Sequence, residues 1–221
     1  LANKFYGGIS PLEYEYICSD IQSIKKKHKC IIIISLHWGI EMSNYPTPFQ
    51  RDIARRLIDD GANIIVGHHP HVLQAIEAYK NGLIAYSLGN FCFPNVESPH
   101  SNSIGYKQEK ENKESIILNC HFGGNKLIDY SISPVIINED LQPQFADVNK
   151  SKKIIKKIEK RSIVLNKENY FDFYQKQVAT NNSGLLQSIK KKSYLEIIKR
   201  LNLMYFKAYT IALINIIKES L

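Results

Sequence analysis

Three observations predict an α/β fold. Two continuous apolar runs, CIIIISL at 30–36 and NIIVG at 63–67, have the length and β-branched content of strands buried on both faces. Between them lies a segment with its own helix start and stop, and strand, helix, strand implies a right-handed crossover joining a parallel pair. After residue 150 the apolar period turns helical, which adds a helical carboxyl-terminal extension.

Each element has a local reason. In SPLEYEY, Ser10 reads as an N-cap, Pro11 as the first helical residue and Glu13 as the partner of a capping box. Ile17, Ile21 and Ile24 recur at helical spacing, so a helix is predicted over 11–28, ending in KKKHK. TPFQ repeats the signal with Thr47, Pro48 and Gln50; Ile53, Leu57 and Ile58 form the apolar face, and Gly61 supplies a left-handed stop. GLIAYSLGNF at 82–91 contains a third strand, and the polar stretch 95–114 reads as a mobile loop. ESIILNCHF and NKLIDYSISPVIIN, separated by Gly123 and Gly124, predict a hairpin. The basic segments from 151 are amphipathic, and Tyr194, Ile197, Ile198, Leu201, Met204, Tyr205 and Ala208 form a stripe read as packing on the body.

The chain has 221 residues, 44% hydrophobic, enough for one substantial core. Its net charge of +8 is uneven: residues 1–150 hold 14 Lys/Arg against 16 Asp/Glu, whereas residues 151–221 hold 15 against 5. We therefore expect a near-neutral domain, 1–150, and a basic helical extension, 151–221. That tail suits an anionic polymer or a membrane surface; with no recognisable nucleic-acid motif, specific nucleic-acid binding is not expected. Cys18, Cys30, Cys92 and Cys120 form no C-x-x-C pair and read as free buried thiols of a reducing compartment. No signal peptide is recognised, and the longest nearly apolar stretch, 208–217, is too short to span a bilayer. The expectation is a cytoplasmic chain as it stands, with membrane association or export if a signal precedes Leu1.

The chemistry gathers where strands end. IIIISL runs into His37 and, four residues on, Glu41; NIIVG runs into His68, His69, Pro70 and His71; LIAYSLG runs into Asn90. In open α/β sheets ligands bind beyond the carboxyl ends of the strands. Crowded histidines repel one another when charged, so neutral imidazole, the metal-ligand form, is expected. On extended backbone His69 and His71 would project to one side, with Pro70 biasing His69 towards that geometry. With His37 they supply three imidazoles, enough for a metal site that keeps an open position. Glu41 reads as a ligand-orienting group, a base or a surface carboxylate. Asn90, after Gly89, either contacts metal or substrate or tolerates left-handed backbone. His28, His100 and His121 read as solvated, loop and edge residues, and Gln74 and Glu77 as polar residues of the next segment.

The stretch 35–93 resembles the CapA family of bacterial capsule and poly-γ-glutamate synthesis proteins. The resemblance rests on HWGIE, the helix from Gln50 to Gly61-Ala62, GHHPHVLQ and YSLGNF, with the hairpin 115–138 fitting the closing strands. It implies part of a metallophosphoesterase-like αββα sandwich with a divalent metal of the Mn, Fe or Zn class at the strand tips, and two ions in a complete protein. By position His37, His69 and His71 would be metal ligands; the family pattern does not fix His68, which with Glu41 and Asn90 is expected to line the pocket and face a phosphorylated or anionic polymer substrate. The family pattern also takes aspartates and an Asn/His pair from an amino-terminal half, and no D-x-H or N-H-[DE] segment occurs in this chain. We therefore expect the carboxyl-terminal part of a longer or split protein: a metal-dependent hydrolase when completed, or otherwise an accessory or binding module.

Overall fold

The computed structural model describes residues 12–94, 96–97, 104–106 and 110–181. The elements run α1 (Tyr14–Lys27), β1 (Ile33–His37), α2 (Pro48–Asp60), β2 (Ile64–His68), β3 (Ile76–Tyr79), β4 (Gly82–Ala85), β5 (Val96–Glu97), β6 (Ile104–Tyr106), β7 (Glu114–Gly123), β8 (Lys126–Ile137), β9 (Pro143–Phe145), α3 (Val148–Leu165) and α4 (Tyr170–Asn181). Helix and sheet are mixed as the α/β class requires.

α2 follows from its sequence at both ends. The Thr47 hydroxyl accepts from Gln50 N, and the Gln50 side chain returns a bond to Thr47 N, satisfying two donors that the helix start leaves open. Such a cap stabilises by about 1 kcal/mol. Gly61, at φ 116°, ends the helix in the left-handed region.

α1 differs from its prediction. It begins at Tyr14 with an extended Glu13 as N-cap, so Glu13 cannot be the third residue of a helical turn. Ser10 and Pro11 lie outside the described residues.

β1, β2 and β4 are parallel, and β3 lies antiparallel beside β4, giving the order β1-β2-β4-β3. β3 was not foreseen because IEAY is only four residues long and begins directly after a turn. Side chains alternate across the sheet. Leu83 and Ala85 join Ile76, Ile116, Ile154 and Ile158 on one side, beneath β8 and α3. The α2 residues Ala54, Leu57 and Ile58 are buried on the other side. Each fully buried Leu or Ile contributes about 1.5–3 kcal/mol.

Burial of β1 on both faces is not observed. It is an edge strand, and Ile33 is 60% exposed, because no described element covers the face that carries Ile33, Ser35 and His37. The predicted hairpin is present as β7 and β8, turning at Gly124-Asn125, with β9 added to its edge. Within 95–114, expected as a loop, β5 and β6 form a short antiparallel ribbon.

The chain divides into two compact units, 1–171 and 172–221. The division expected at 150 coincides with the start of α3, whose Ile154 and Ile158 enter the core of the first unit. Of the second unit, residues 172–181 are described, and they are helical. The stripe from Tyr194 to Ala208 lies outside the described residues. Among the described residues no helix is long and apolar enough to cross a membrane. The four cysteines are free, but Cys30 and Cys92 are exposed and Cys18 and Cys120 half-buried, so the expected burial fails at each.

Candidate metal centre at the strand tips

His37 and His68 end neighbouring parallel strands in register, which places them side by side at the rim of the sheet. The first tip is anchored through Trp38. Its indole Nε1 donates to the Tyr86 carbonyl at 3.2 Å, and its ring stacks on that of Tyr86. The path crosses Gly67, where a Cβ would lie 1.9 Å from the Tyr86 oxygen and 2.4 Å from the indole nitrogen. Only glycine fits this crossing.

The second tip departs from the extended geometry expected of it. His69 has φ 96° and His71 has φ 59°, both in the left-handed region that L side chains avoid. The reason is the chain reversal that follows β2: Met42 N donates to Pro70 O at 2.8 Å, tying the turn to the loop after β1. Holding two non-glycine residues there costs on the order of 1–3 kcal/mol each. The rings nevertheless gather. His37 Nε2 and His69 Nδ1 stand 3.1 Å apart, and the His69 and His71 ring centres are 5.9 Å apart.

Asn90, 6% exposed, lies beneath His71 at the third tip. Its Oδ1 accepts from His71 Nδ1 at 2.9 Å, which leaves Nε2 as the ring's other nitrogen. The left-handed residue is Gly89, at φ 75°, where a Cβ would meet the Glu114 carbonyl at 2.2 Å. Asn90 itself is not among the left-handed residues. Phe93 packs edge-on against the His71 ring.

Burial is the largest influence on His68 and His69, and it lowers the pKa of both. His37 adds to the effect at His68; His37 and His71 add to it at His69, against the nearby Glu41. Both imidazoles are therefore neutral at pH 7, the form that binds metal. Glu41 is exposed beside the rings.

The donor set partly fits a divalent ion. Two nitrogens bound at about 2.0–2.1 Å to one tetrahedral ion stand roughly 3.3 Å apart, close to the His37–His69 separation. Among the described residues, however, no three His, Cys, Asp or Glu side chains converge into a complete ligand set. The rings bring nitrogens together, and no set of three such side chains is completed by a carboxylate among the described residues. Away from it, His28 and His121 are exposed, and His100 lies outside the described residues.

Two residues read only as polar members of the next segment, and one that sequence reasoning did not single out, are buried and hydrogen-bonded. Gln74 is 1% exposed and donates through Nε2 to Ser43 O, while Glu77, 4% exposed, accepts from Arg55 and from the Tyr86 hydroxyl. Arg161 is 6% exposed. Its signal was present: it falls on the Ile154–Ile158 face of α3, where the period calls for an apolar residue.

Residues 2–95 match the family model described as bacterial capsule synthesis protein PGA_cap. The PGA biosynthesis protein CapA of Bacillus subtilis is 37% identical over 162 residues, 73% of this chain and 39% of that protein. The capsule biosynthesis protein CapA of Bacillus anthracis is 52% identical over 69 residues, 31% of this chain and 17% of the relative. A probable polyglutamine synthesis accessory protein of Mycobacterium tuberculosis is 37% identical over 60 residues, 27% of this chain and 16% of its own length. The chain thus spans well under half the length of these relatives. The matched stretch contains every residue of the three strand tips, and over it the chain is similar to the CapA family.

Proposed function

We propose that His37, His69 and His71 are the histidine side of a divalent-metal centre of the Mn, Fe or Zn class, serving capsule or poly-γ-glutamate synthesis. The observation that carries this reading is the facing pair of imidazole nitrogens, 3.1 Å apart, with His71 alongside at the tips of parallel strands. In the complete protein the fold would be a metallophosphoesterase-like αββα sandwich, and the reaction hydrolysis of a phosphorylated or anionic polymer substrate. A divalent ion supplies there a water of lowered pKa and neutralises phosphate charge. His37 and His69 would hold the ion through the ring nitrogens that face each other, and Asn90, bonded to His71 Nδ1, would leave the His71 Nε2 as the ligand atom. Glu41 and His68 flank the opening and orient the substrate. The carboxylates come from a further segment or a partner chain.

The incomplete ligand set among the described residues favours a second reading, an accessory module that binds polymer and does not catalyse. Elemental analysis of the purified chain beside a His69→Ala, His71→Ala double variant separates the two. Stoichiometric metal, lost in the variant, is the expected result. Metal absent from both proteins would leave the accessory reading.

A further inference from the structure

The turn that carries His69 and His71 and the loop that follows His37 are gripped by a single buried cation. Arg161, on α3, donates through Nη1 to the backbone carbonyl of Leu73, two residues past His71. Through Nη2 it donates to the side-chain oxygen of Asn44, three residues past Glu41. We infer that Arg161 is a positioning residue, whose forked guanidinium holds the His69–His71 turn against the loop after His37 and so sets the distances among the three rings.

This rests on reading the strand tips as a functional site. The argument begins with cost. A guanidinium out of water is heavily penalised, and burial indeed lowers the Arg161 pKa, against the fields of Glu111, Tyr45 and Glu114. An apolar residue would suit a position on the Ile154–Ile158 face better. What an apolar residue cannot do is bridge two loops: the planar fork presents several donors at fixed angles to two acceptors at once.

The surrounding bonds point the same way. The Ile76 amide donates to Ser162 Oγ at 3.0 Å, the Tyr170 hydroxyl donates to Pro46 O, and Gln74 Nε2 donates to Ser43 O at 2.8 Å. α3 and the residue opening α4 thus hold both loops, and the Arg161 side chain touches each. The left-handed backbones of His69 and His71 supply the need. Strained residues persist only where neighbours over-determine them, and relaxation of either would turn its imidazole away from the others.

Histidine side-chain ¹⁵N–¹H spectra of the metal-free protein test this directly. Arg161→Met should displace the ring signals of His69 and His71 and, in the wild type's metal assay, weaken metal affinity by about tenfold or more. Ile154→Val, deeper in the same helix, lowers stability without touching the loops and should leave the ring signals in place. Added guanidinium should return the rings of Arg161→Ala towards their wild-type positions. Arg161→Lys, which keeps the charge but cannot fork, should displace the rings too, and it serves if the Met variant does not fold. Rings unmoved in Arg161→Met or Arg161→Lys, with melting lowered as in Ile154→Val, would make Arg161 a stabilising residue only and overturn the inference. Wild-type protein that takes up no metal would remove the metal reading, while displaced rings would still establish the clamp.

Discussion

The two ends of the parallel sheet handle polar groups in opposite ways. At the amino end, α1 and α2 terminate around an open cleft of about 470 Å³, whose walls include Lys25, Lys29, Asp59 and Lys80. Lys25 donates to the Asp60 carbonyl at 3.2 Å, Lys80 pairs with Asp59, and the Tyr14 hydroxyl donates to Asp60 Oδ2 at 2.6 Å. Basic groups there complement the carbonyl ends of two helices in water. At the carboxyl end Gln74, Asn90, Glu114 and Arg161 are nearly sealed from solvent, beside two strained histidines. Water forgives imperfect geometry at the first end, and burial at the second makes a missing hydrogen bond costly. Buried polar groups therefore gather at the end that carries the site, with Asn63, bonded to Ile32 N and Asn125 O, as their counterpart at the amino end.

The sharpest way to break this contrast is Gly67→Ala. The added methyl would overlap the Tyr86 carbonyl, a backbone atom that cannot move aside without shifting β4. We expect a loss of about 3 kcal/mol or more in urea unfolding, with the Trp38 anchor released. A loss near that of an ordinary surface substitution would mean that the crossing is loose.

Glu114 gives an intermediate effect with a pH signature. Burial by itself would raise its pKa, but hydrogen bonds from Lys150 and Lys157 outweigh burial and hold it below its ordinary value of 4.5. As pH falls, the unfolded chain therefore takes up the proton first. The contribution is complete above pH 4.5 and disappears as pH falls through the lower folded value. Glu114→Gln should cost about 2 kcal/mol near neutrality and flatten the acid limb of a stability–pH curve. An unchanged limb in the variant would contradict this assignment.

Lys80→Ala, at the amino end, should be the smallest. Its partner Asp59 is well exposed and salt screens the pair. Thermal melts should coincide with wild type within error, in low salt and in high. A clear drop would erase the difference between the ends.

How far the sequence could be read follows the same division. α2 was legible to the residue, because Thr47, Gln50 and Gly61 act on backbone within one turn of themselves. The β7–β8 hairpin was legible for the same reason. β1 misled: an isoleucine run is identical whether or not something covers it, and Ile33 is exposed at an edge that no local pattern marks. The strand tips were found because apolar runs end abruptly in His37, His68 and Asn90. Their geometry was not, because Pro70 indicated extended backbone at His69, whereas a tertiary bond from Met42 imposes a turn.

By itself, then, the sequence determined the class of fold, the capped helix, the hairpin and the three tips where imidazoles collect. These depend on periodicity and on contacts within a few residues, which are written locally. Only tertiary structure decided that His37 faces His69, that Asn90 holds His71, and that Arg161 reaches two loops across 88 and 117 residues of chain. Those pairings exist because folding closes long loops and expels water between the partners, and neither event leaves a mark on neighbouring residues.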